Sequence, residues 1–316
     1  SAKVERWTLI YEVIVEVARK ALPHILNTSL LEVYRNGTDA QRNEIGRAIK
    51  YINNTIDNLC RLIPCVPGVW SQRVKVGSMD GMWLVPDGKS IPNKQNVKPG
   101  QPYVLYLHGG AYIMCSINTH KRVVSGISKA ADAPVLAVDY RLPPDGHFED
   151  ILEDAMEAYN WLIAQGVPSE QIVISGDSAG GHLSLALCAT LVEQYPDRVP
   201  AAVVALSPWI DVAMSKSSEE SCTWVKNADI DYLGFAQGAA PGALVFGVCE
   251  ETGEVKTHPK MNLANLDQST LARMPPLLIQ YGGQEVLKDE IEVFADAFNK
   301  AKLAAKGDAL GGGSGG

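Results

Sequence analysis

The chain has 316 residues, of which 46% are hydrophobic and 20% are charged, values that are ordinary for a soluble globular protein with a large core. This composition excludes intrinsically disordered and collagen-like proteins. The formal net charge of -8 is spread along the chain and leaves no basic face to neutralise phosphates, so nucleic acid is not an expected partner. We expect one core with an attached cap rather than two separate domains.

No apolar run approaches the ~20 residues that a membrane span needs. The best candidate, residues 7–26, is interrupted by charged side chains, so stable membrane insertion is not expected. The six cysteines form neither a CxxC pair nor a zinc-like pattern, so we interpret them as reduced packing residues. Reduced cysteines favour a cytoplasmic location. No metal or other cofactor is expected. Sequons at Asn27, Asn36 and Asn53 favour secretion only weakly, since a chain this long contains some by chance.

Two amphipathic helices are predicted at the N-terminus. Residues 7–24 place apolar side chains at helical spacing. A second helix begins at Thr38, where Gln41 completes a capping box, and continues to Pro64. Residues 1–64 are therefore interpreted as a helical lid, with a membrane-surface helix as the alternative.

From residue 72 onward the pattern indicates an α/β core over residues 65–310. Two alternating stretches around a turn at Ser78–Gly81 predict a hairpin, and an apolar stripe predicts a helix over residues 149–165. Residues 212–260 lack the α/β rhythm and are interpreted as an excursion that completes the lid. Short apolar runs, typical of parallel strands buried on both faces, occupy residues 103–107, 134–138, 171–174, 201–206 and 276–280.

A strand, a sharp turn and a helix meet at Gly176-Asp177-Ser178-Ala179-Gly180. A nucleophile elbow requires this context, because its serine takes a strained backbone conformation and small neighbours let the strand and the helix approach each other. Ser178 is therefore the candidate nucleophile. The alternative is a serine in an ordinary glycine-rich turn.

The strand at residues 103–107 ends at His108-Gly109-Gly110-Ala111. When a serine attacks an ester, the carbonyl oxygen becomes an anion that preorganised backbone N–H groups stabilise. Gly109, Gly110 and Ala111 are predicted to supply such donors, together with Ala179 just after the nucleophile. His108 is interpreted as a structural residue that holds this loop.

These motifs resemble the hormone-sensitive-lipase family of α/β-hydrolases. The similar stretches also include residues 139–144 and 274–279, and they follow the family's order and spacing across about residues 70–305. The resemblance implies an α/β-hydrolase fold, a mostly parallel sheet with helices on both faces, and a lid of N-terminal helices over the acyl pocket. It also implies hydrolysis of short to medium acyl esters, with lactones or arylacetamides as variants.

The acid of a Ser-His-acid triad is expected after the next strand, and the resemblance implies Glu285 for this role. Family members often carry aspartate there, but a carboxylate of either length can orient an imidazole. Asp289 is the second candidate. Its alternative interpretation is a solvated or capping carboxylate at the start of a helix over residues 290–306.

The sequence contains no histidine after Glu285, where the resemblance implies one more strand and a histidine loop. Residues 311–316 are a Gly/Ser segment that resembles an engineered linker. Without a neighbouring base a serine is a poor nucleophile, so we expect this chain to be nearly inactive alone. A fusion partner or a second chain is the expected source of the missing part, and an unpaired sheet edge is expected where the last strand would lie.

Two classes of function remain open from the sequence. The first is a carboxylesterase that acts on a small-molecule ester through an acyl-enzyme. The second is a binding protein on the same scaffold, because plant hormone receptors similar to this family have lost the triad histidine. The surviving nucleophile and oxyanion motifs favour the enzyme, since a receptor needs neither.

Overall fold

The computed structural model describes residues 37–215, 219–234, 245–247, 249 and 254–311. The predicted helix over residues 7–24 and the Gly/Ser residues 312–316 lie outside the described part of the chain. So does much of the predicted lid excursion at residues 212–260.

A seven-stranded sheet in the order β1-β2-β4-β3-β5-β6-β7 forms the centre of the fold. β1 and β2 form the predicted hairpin, and β2 also pairs antiparallel with β4, while β4, β3, β5, β6 and β7 run parallel. The strands span Val69–Val76 (β1), Met79–Pro86 (β2), Tyr103–Leu107 (β3), Val135–Asp139 (β4), Ile172–Asp177 (β5), Ala202–Leu206 (β6) and Leu277–Gln280 (β7).

Helices connect and flank these strands. The one that follows β5 is apolar nearly all round and almost completely buried, as expected for a helix packed against the middle of a sheet. No helix in the described ranges is long and apolar enough to cross a membrane. The helices span Asp39–Cys60 (α1), Ile117–Ala131 (α2), Phe148–Ala164 (α3), Ala179–Gln194 (α4), Thr223–Lys226 (α5), Gln268–Arg273 (α6) and Lys288–Gly311 (α7).

The predicted elements agree with the structure to within a few residues, with two corrections. The first is α2, which the sequence analysis missed; its N-cap is Ser116, whose side chain accepts from the backbone N–H of Thr119. The second concerns β7, predicted to be buried on both faces. It lies at the edge of the described sheet, and the Leu278 side chain is 58% exposed.

The parallel topology determines where the functional residues meet. Because β3, β5, β6 and β7 are neighbours that run in the same direction, their carboxyl ends lie along one edge of the sheet. In open α/β sheets this edge is where ligands bind. The loops that carry the predicted oxyanion donors, nucleophile and acid follow β3, β5 and β7 respectively.

Candidate active site

Ser178 lies in a sharp turn between β5 and α4, with φ 52° and ψ -118°. This conformation costs about 1–3 kcal/mol for a residue with a side chain, so the surrounding contacts must hold it. The Ser178 N–H donates to the carbonyl of Leu206 (2.8 Å), and the Ser178 carbonyl accepts from the N–H of Trp209 (3.0 Å). At Gly180 a Cβ atom would lie 2.0 Å from the Leu107 carbonyl oxygen, so only glycine permits this approach of helix and strand. The sharp turn predicted between strand and helix is thus present at Ser178, and we call this turn the elbow.

The loop after β3 has an unusual backbone. Gly110, Ala111 and Tyr112 have consecutive positive φ angles of 116°, 55° and 61°. The carbonyl oxygen of Gly110 accepts from the N–H groups of Ile113 and Met114, each at 3.0 Å, which closes the turn. Strain of this kind is typical of functional loops that rigid surroundings hold in place.

Gly109 contacts the elbow directly. Its N–H donates to Oδ1 of Asp177 at 3.0 Å, and a Cβ atom at this position would lie 2.2 Å from Oδ2 of the same carboxylate. The amide is thus committed to Asp177, which corrects the prediction that Gly109 would donate to an oxyanion. Its role in the structure is to bring the loop after β3 against the residue that precedes Ser178.

Three other amides are available around the elbow. Within the described part of the chain, the N–H groups of Gly110, Ala111 and Ala179 have no hydrogen-bond acceptor. Ala179 is also the first residue of α4, where the helix dipole favours negative charge. Buried amides without partners are uncommon. Ala179 is buried, whereas Gly110 and Ala111 are partly exposed, and together the three have the donors that an oxyanion hole requires.

Glu285 lies in the loop after β7, where the resemblance implied the acid. Its Oε1 atom accepts from the Ser207 hydroxyl and from the Gly282 N–H, both at 2.7 Å. Its Oε2 atom is buried and has no hydrogen-bond partner in the described part of the chain. One carboxylate oxygen is therefore fixed, and the other is able to accept a hydrogen bond from an imidazole N–H.

Asp289, the second candidate acid, is used in packing. Its Oδ2 atom accepts from the backbone N–H of Thr223 (2.8 Å), and the Thr223 hydroxyl donates to the carbonyl of Val286 (2.7 Å). Asp231 accepts from the N–H of Val286 (2.9 Å), and Asn227 donates to the carbonyl of Glu285 (3.0 Å). The segment around α5 therefore holds the acid loop, and Asp289 is part of that attachment.

Two buried histidines have structural partners. His182 bonds through Nδ1 to the Tyr112 hydroxyl (2.7 Å) and through Nε2 to the Lys260 carbonyl (2.9 Å), and burial lowers its pKa to about 3. His108 bonds through Nδ1 to the Gly109 carbonyl (2.7 Å) and stacks on Tyr140, as the predicted structural role requires. Burial, and then the neighbouring charge of His120, lowers the pKa of His108 to about 4.

The remaining described histidines differ from one another. His258 is half-buried; it accepts from the Lys260 N–H and packs edge-on against Phe148. His147 precedes α3. His120 lies in α2, is partly buried with 16% of its side chain exposed, and bonds to Asp177. None of the hydrogen bonds described for His108, His120, His182 and His258 reaches Ser178 or Glu285.

A cavity of about 410 Å³ lies between α1, the loop after β3 and the loop after β4. Its lining is polar and includes Asp57, His108, Cys115, Tyr140 and Arg141. Ser178 is not part of this lining, so the cavity is not assigned as an acyl pocket.

The first described helix is attached to the core by polar contacts. The side chain of Asn53 accepts from the Cys115 N–H (2.7 Å) and donates to the Cys115 carbonyl (3.3 Å). Asp57 accepts from the Ser116 hydroxyl (2.5 Å) and from the Asn118 amide (2.8 Å). Helix α1 therefore covers the segment that continues the oxyanion loop into α2.

A family model described as an alpha/beta hydrolase fold matches residues 104–312, about two thirds of the chain. The chain belongs to the α/β-hydrolase family, among the hormone-sensitive-lipase-like members. Carboxylesterase/phospholipase LipF of Mycobacterium tuberculosis is 39% identical to this hydrolase over 209 residues, which are 65% of the chain and 51% of LipF. The chain thus spans about half the length of this curated relative.

Solved structures give the same assignment. An esterase from the bacterial hormone-sensitive lipase family superposes on this hydrolase with a TM-score of 0.65 at 27% identity, covering 90% of this chain and 85% of that one. EstE5, from a crystal soaked in p-nitrophenyl butyrate, superposes with a TM-score of 0.64 at 30% identity, covering 79% and 78%.

Proposed function

We propose that this α/β-hydrolase is a serine carboxylesterase for short to medium acyl esters. The Ser178 hydroxyl oxygen attacks the ester carbonyl carbon and gives its proton to an imidazole. The resulting oxyanion accepts hydrogen bonds from the amides of Gly110, Ala111 and Ala179. Collapse of this intermediate breaks the bond to the alcohol, which leaves with the proton from the imidazole. Water then attacks the acyl-enzyme and gives a proton to the imidazole, which returns it to Ser178 as the acid is released.

The observation that carries this proposal is the strained serine beside three unused amides. The φ of 52° at Ser178 does not improve folding and is a cost that a catalytic site explains, and the N–H groups of Gly110, Ala111 and Ala179 are left for an oxyanion. The names of the similar proteins, a carboxylesterase/phospholipase and an esterase, support the same chemistry.

We propose that Glu285 is the triad acid and that its Oε2 atom accepts the N–H of the catalytic imidazole. Support comes from that buried oxygen, which has no partner in the described part of the chain, and from the fixed position of Oε1. None of the hydrogen bonds described for His108, His120, His182 and His258 reaches Ser178 or Glu285, and the sequence has no histidine after Glu285. A polypeptide of these residues alone should therefore hydrolyse esters slowly.

The test is hydrolysis of p-nitrophenyl butyrate by the polypeptide with and without added imidazole. We expect a slow rate of hydrolysis that depends on the protein and that free imidazole raises. Ser178→Ala should abolish both the basal rate and the increase caused by imidazole. Imidazole alone and imidazole with the Ser178→Ala variant are the controls, since imidazole attacks activated esters by itself. Equal rates for the parent and for Ser178→Ala under all conditions would refute the proposal.

We also propose that the N-terminal region through residue 64 and the excursion at residues 212–260 form a lid. The contacts of α1 with the Cys115–Asn118 segment, and of Thr223, Asn227 and Asp231 with the acid loop, support this division. Both parts of the lid would then border loops that carry the chemistry.

A cytoplasmic location is proposed on the state of the cysteines. Cys188 and Cys222 are buried free thiols, and Cys60, Cys65 and Cys115 are free as well. Thiols remain reduced in the cytosol, whereas secreted proteins usually pair them.

The alternative of a non-catalytic binding protein finds no support in the geometry. A receptor gains nothing from a strained serine or from amides that lack partners. Tight binding of an ester that stays intact after imidazole has been added would favour it.

A further inference from the structure

A partly buried polar cluster joins the oxyanion loop to the elbow. The carboxylate of Asp177, the residue before Ser178, accepts from the Tyr106 hydroxyl (2.7 Å) and the Gly109 N–H (3.0 Å) through Oδ1. Its Oδ2 atom lies 3.2 Å from Nε2 of His120. The proposed esterase mechanism gives neither Asp177 nor His120 a role, although their cluster links the two catalytic loops directly.

Hydrogen-bond partners favour a proton on both ring nitrogens of His120. Its Nδ1 atom lies 2.9 Å from the Thr119 hydroxyl and 3.3 Å from the Ser116 carbonyl. The Thr119 hydroxyl is also 2.8 Å from the Ser116 carbonyl, and when it donates there it acts as an acceptor toward His120. Both ring nitrogens then face acceptors, an arrangement that favours the imidazolium form.

The surroundings of His120 favour this charge. The Asp177 carboxylate faces it from β5 and the Asp139 carboxylate from β4, while His108 at the end of β3 is neutral. Burial alone would lower the pKa of His120, but the attraction and hydrogen bond of Asp177 outweigh it and raise the pKa. In the same way burial would raise the pKa of Asp177, and the pairing with His120 lowers it.

We propose that His120 is a positioning residue of the oxyanion hole. As a partly buried cation it orients the Asp177 carboxylate, which holds the Gly109 amide and so directs the Gly110 and Ala111 amides toward Ser178. This inference rests on the proposed esterase function. Without the cation, Oδ2 of Asp177, whose side chain is 30% exposed, would lose this donor, and the carboxylate would be free to turn.

The first test follows the charge directly and needs no catalysis. Long-range proton–nitrogen NMR on histidine-labelled protein resolves each imidazole separately, so titration of Asp139 does not confuse the result. We expect the His120 signals to remain those of an imidazolium at pH 7 and above, beyond the ordinary histidine pKa of about 6.5. Signals of a neutral ring at pH 7 would overturn the proposal.

The second test compares His120→Gln with the matched control His258→Gln, which lies outside the cluster. We expect His120→Gln to shift the amide resonances of Gly110 and Ala111 and to lower kcat for p-nitrophenyl butyrate by about 10-fold to 100-fold at nearly constant KM. His120→Lys, which keeps the charge, should recover part of the rate. If neither the amide resonances nor kcat change in folded His120→Gln, the positioning role is wrong.

The two proposals can fail separately. If Ser178→Ala leaves the rate unchanged, the esterase function is wrong, while the imidazolium signals and the amide shifts still decide the structural claim about His120. A rate that depends on Ser178 but not on His120 would refute the positioning role alone. Should His120→Gln not fold, the NMR titration of the unmodified protein remains decisive.

Discussion

Replacement of Gly109 by alanine tests the link between the oxyanion loop and the elbow. The new methyl group would lie 2.2 Å from Oδ2 and 2.9 Å from the backbone oxygen of Asp177, too close for any real contact. The carboxylate must move, and the hydrogen bond from the Gly109 N–H (3.0 Å) is strained or lost. A hydrogen bond to a charged group is worth about 1.5–3 kcal/mol, so we expect the free energy of unfolding to fall by about that amount.

The same change should disturb the neighbouring oxyanion donors. Displacement of such donors by about 1 Å costs roughly 10²-fold in rate, so the Ser178-dependent hydrolysis should fall by about that factor. Urea unfolding followed by tryptophan fluorescence measures the stability, and p-nitrophenyl butyrate measures the rate.

Gly126 provides a matched control for this substitution. It lies inside α2, and a Cβ atom there meets nothing within 4 Å. Gly126→Ala should leave the rate unchanged and stabilise the helix by up to about 1 kcal/mol. If Gly109→Ala behaves like Gly126→Ala, then the contact with Asp177 does not hold the loop, and the reasoning is refuted.

Two further predictions concern stability. Thr38→Ala removes the capping box of α1 and should lower the free energy of unfolding by about 1 kcal/mol. The control Thr55→Ala lies on the same helix, where the hydroxyl bonds to the Tyr51 carbonyl, and it should cost less. Equal losses in urea unfolding would contradict this prediction. Burial raises the pKa of Glu290 from 4.5 to about 8. Between these two pH values the folded protein holds a proton that the unfolded chain has released, so the free energy of unfolding should fall as pH rises from 4.5 to about 8. Glu290→Gln should flatten this pH dependence, as measured by urea unfolding at several pH values.

The sequence was sufficient to predict the α/β core because its strands are short apolar runs between turn signals. β3 was predicted with its observed limits, Tyr103–Leu107, and the elbow at Ser178 has the strained geometry that its motif requires. Helix α2 was missed, although Ser116 and Thr119 form a capping box at its start. Its glycine and its several polar side chains weaken the apolar stripe on which helix prediction depends.

The role of Gly109 could not be predicted from the motif. Glycine suits a donor loop and a close packing contact equally well, and only the position of the Asp177 carboxylate distinguishes these roles. The contact between His120 and Asp177 was not predicted for a related reason. A histidine among polar residues is typical of a loop, and its partner lies 57 residues away in the sequence. Long-range pairs of this kind depend on strand order, which local patterns do not determine.

The catalytic loops of this hydrolase are held by two separate polar attachments, and each acts on a different part of the chemistry. Asp177 and His120 fix the loop that should stabilise the oxyanion, whereas Ser207 fixes one oxygen of Glu285 and leaves the other unpaired. A buried carboxylate oxygen without a donor costs free energy in a folded protein. An imidazole N–H bound there would recover that cost and place its other nitrogen for proton transfer. The unpaired Oε2 atom is therefore evidence for the acid role of Glu285 that does not depend on the family resemblance.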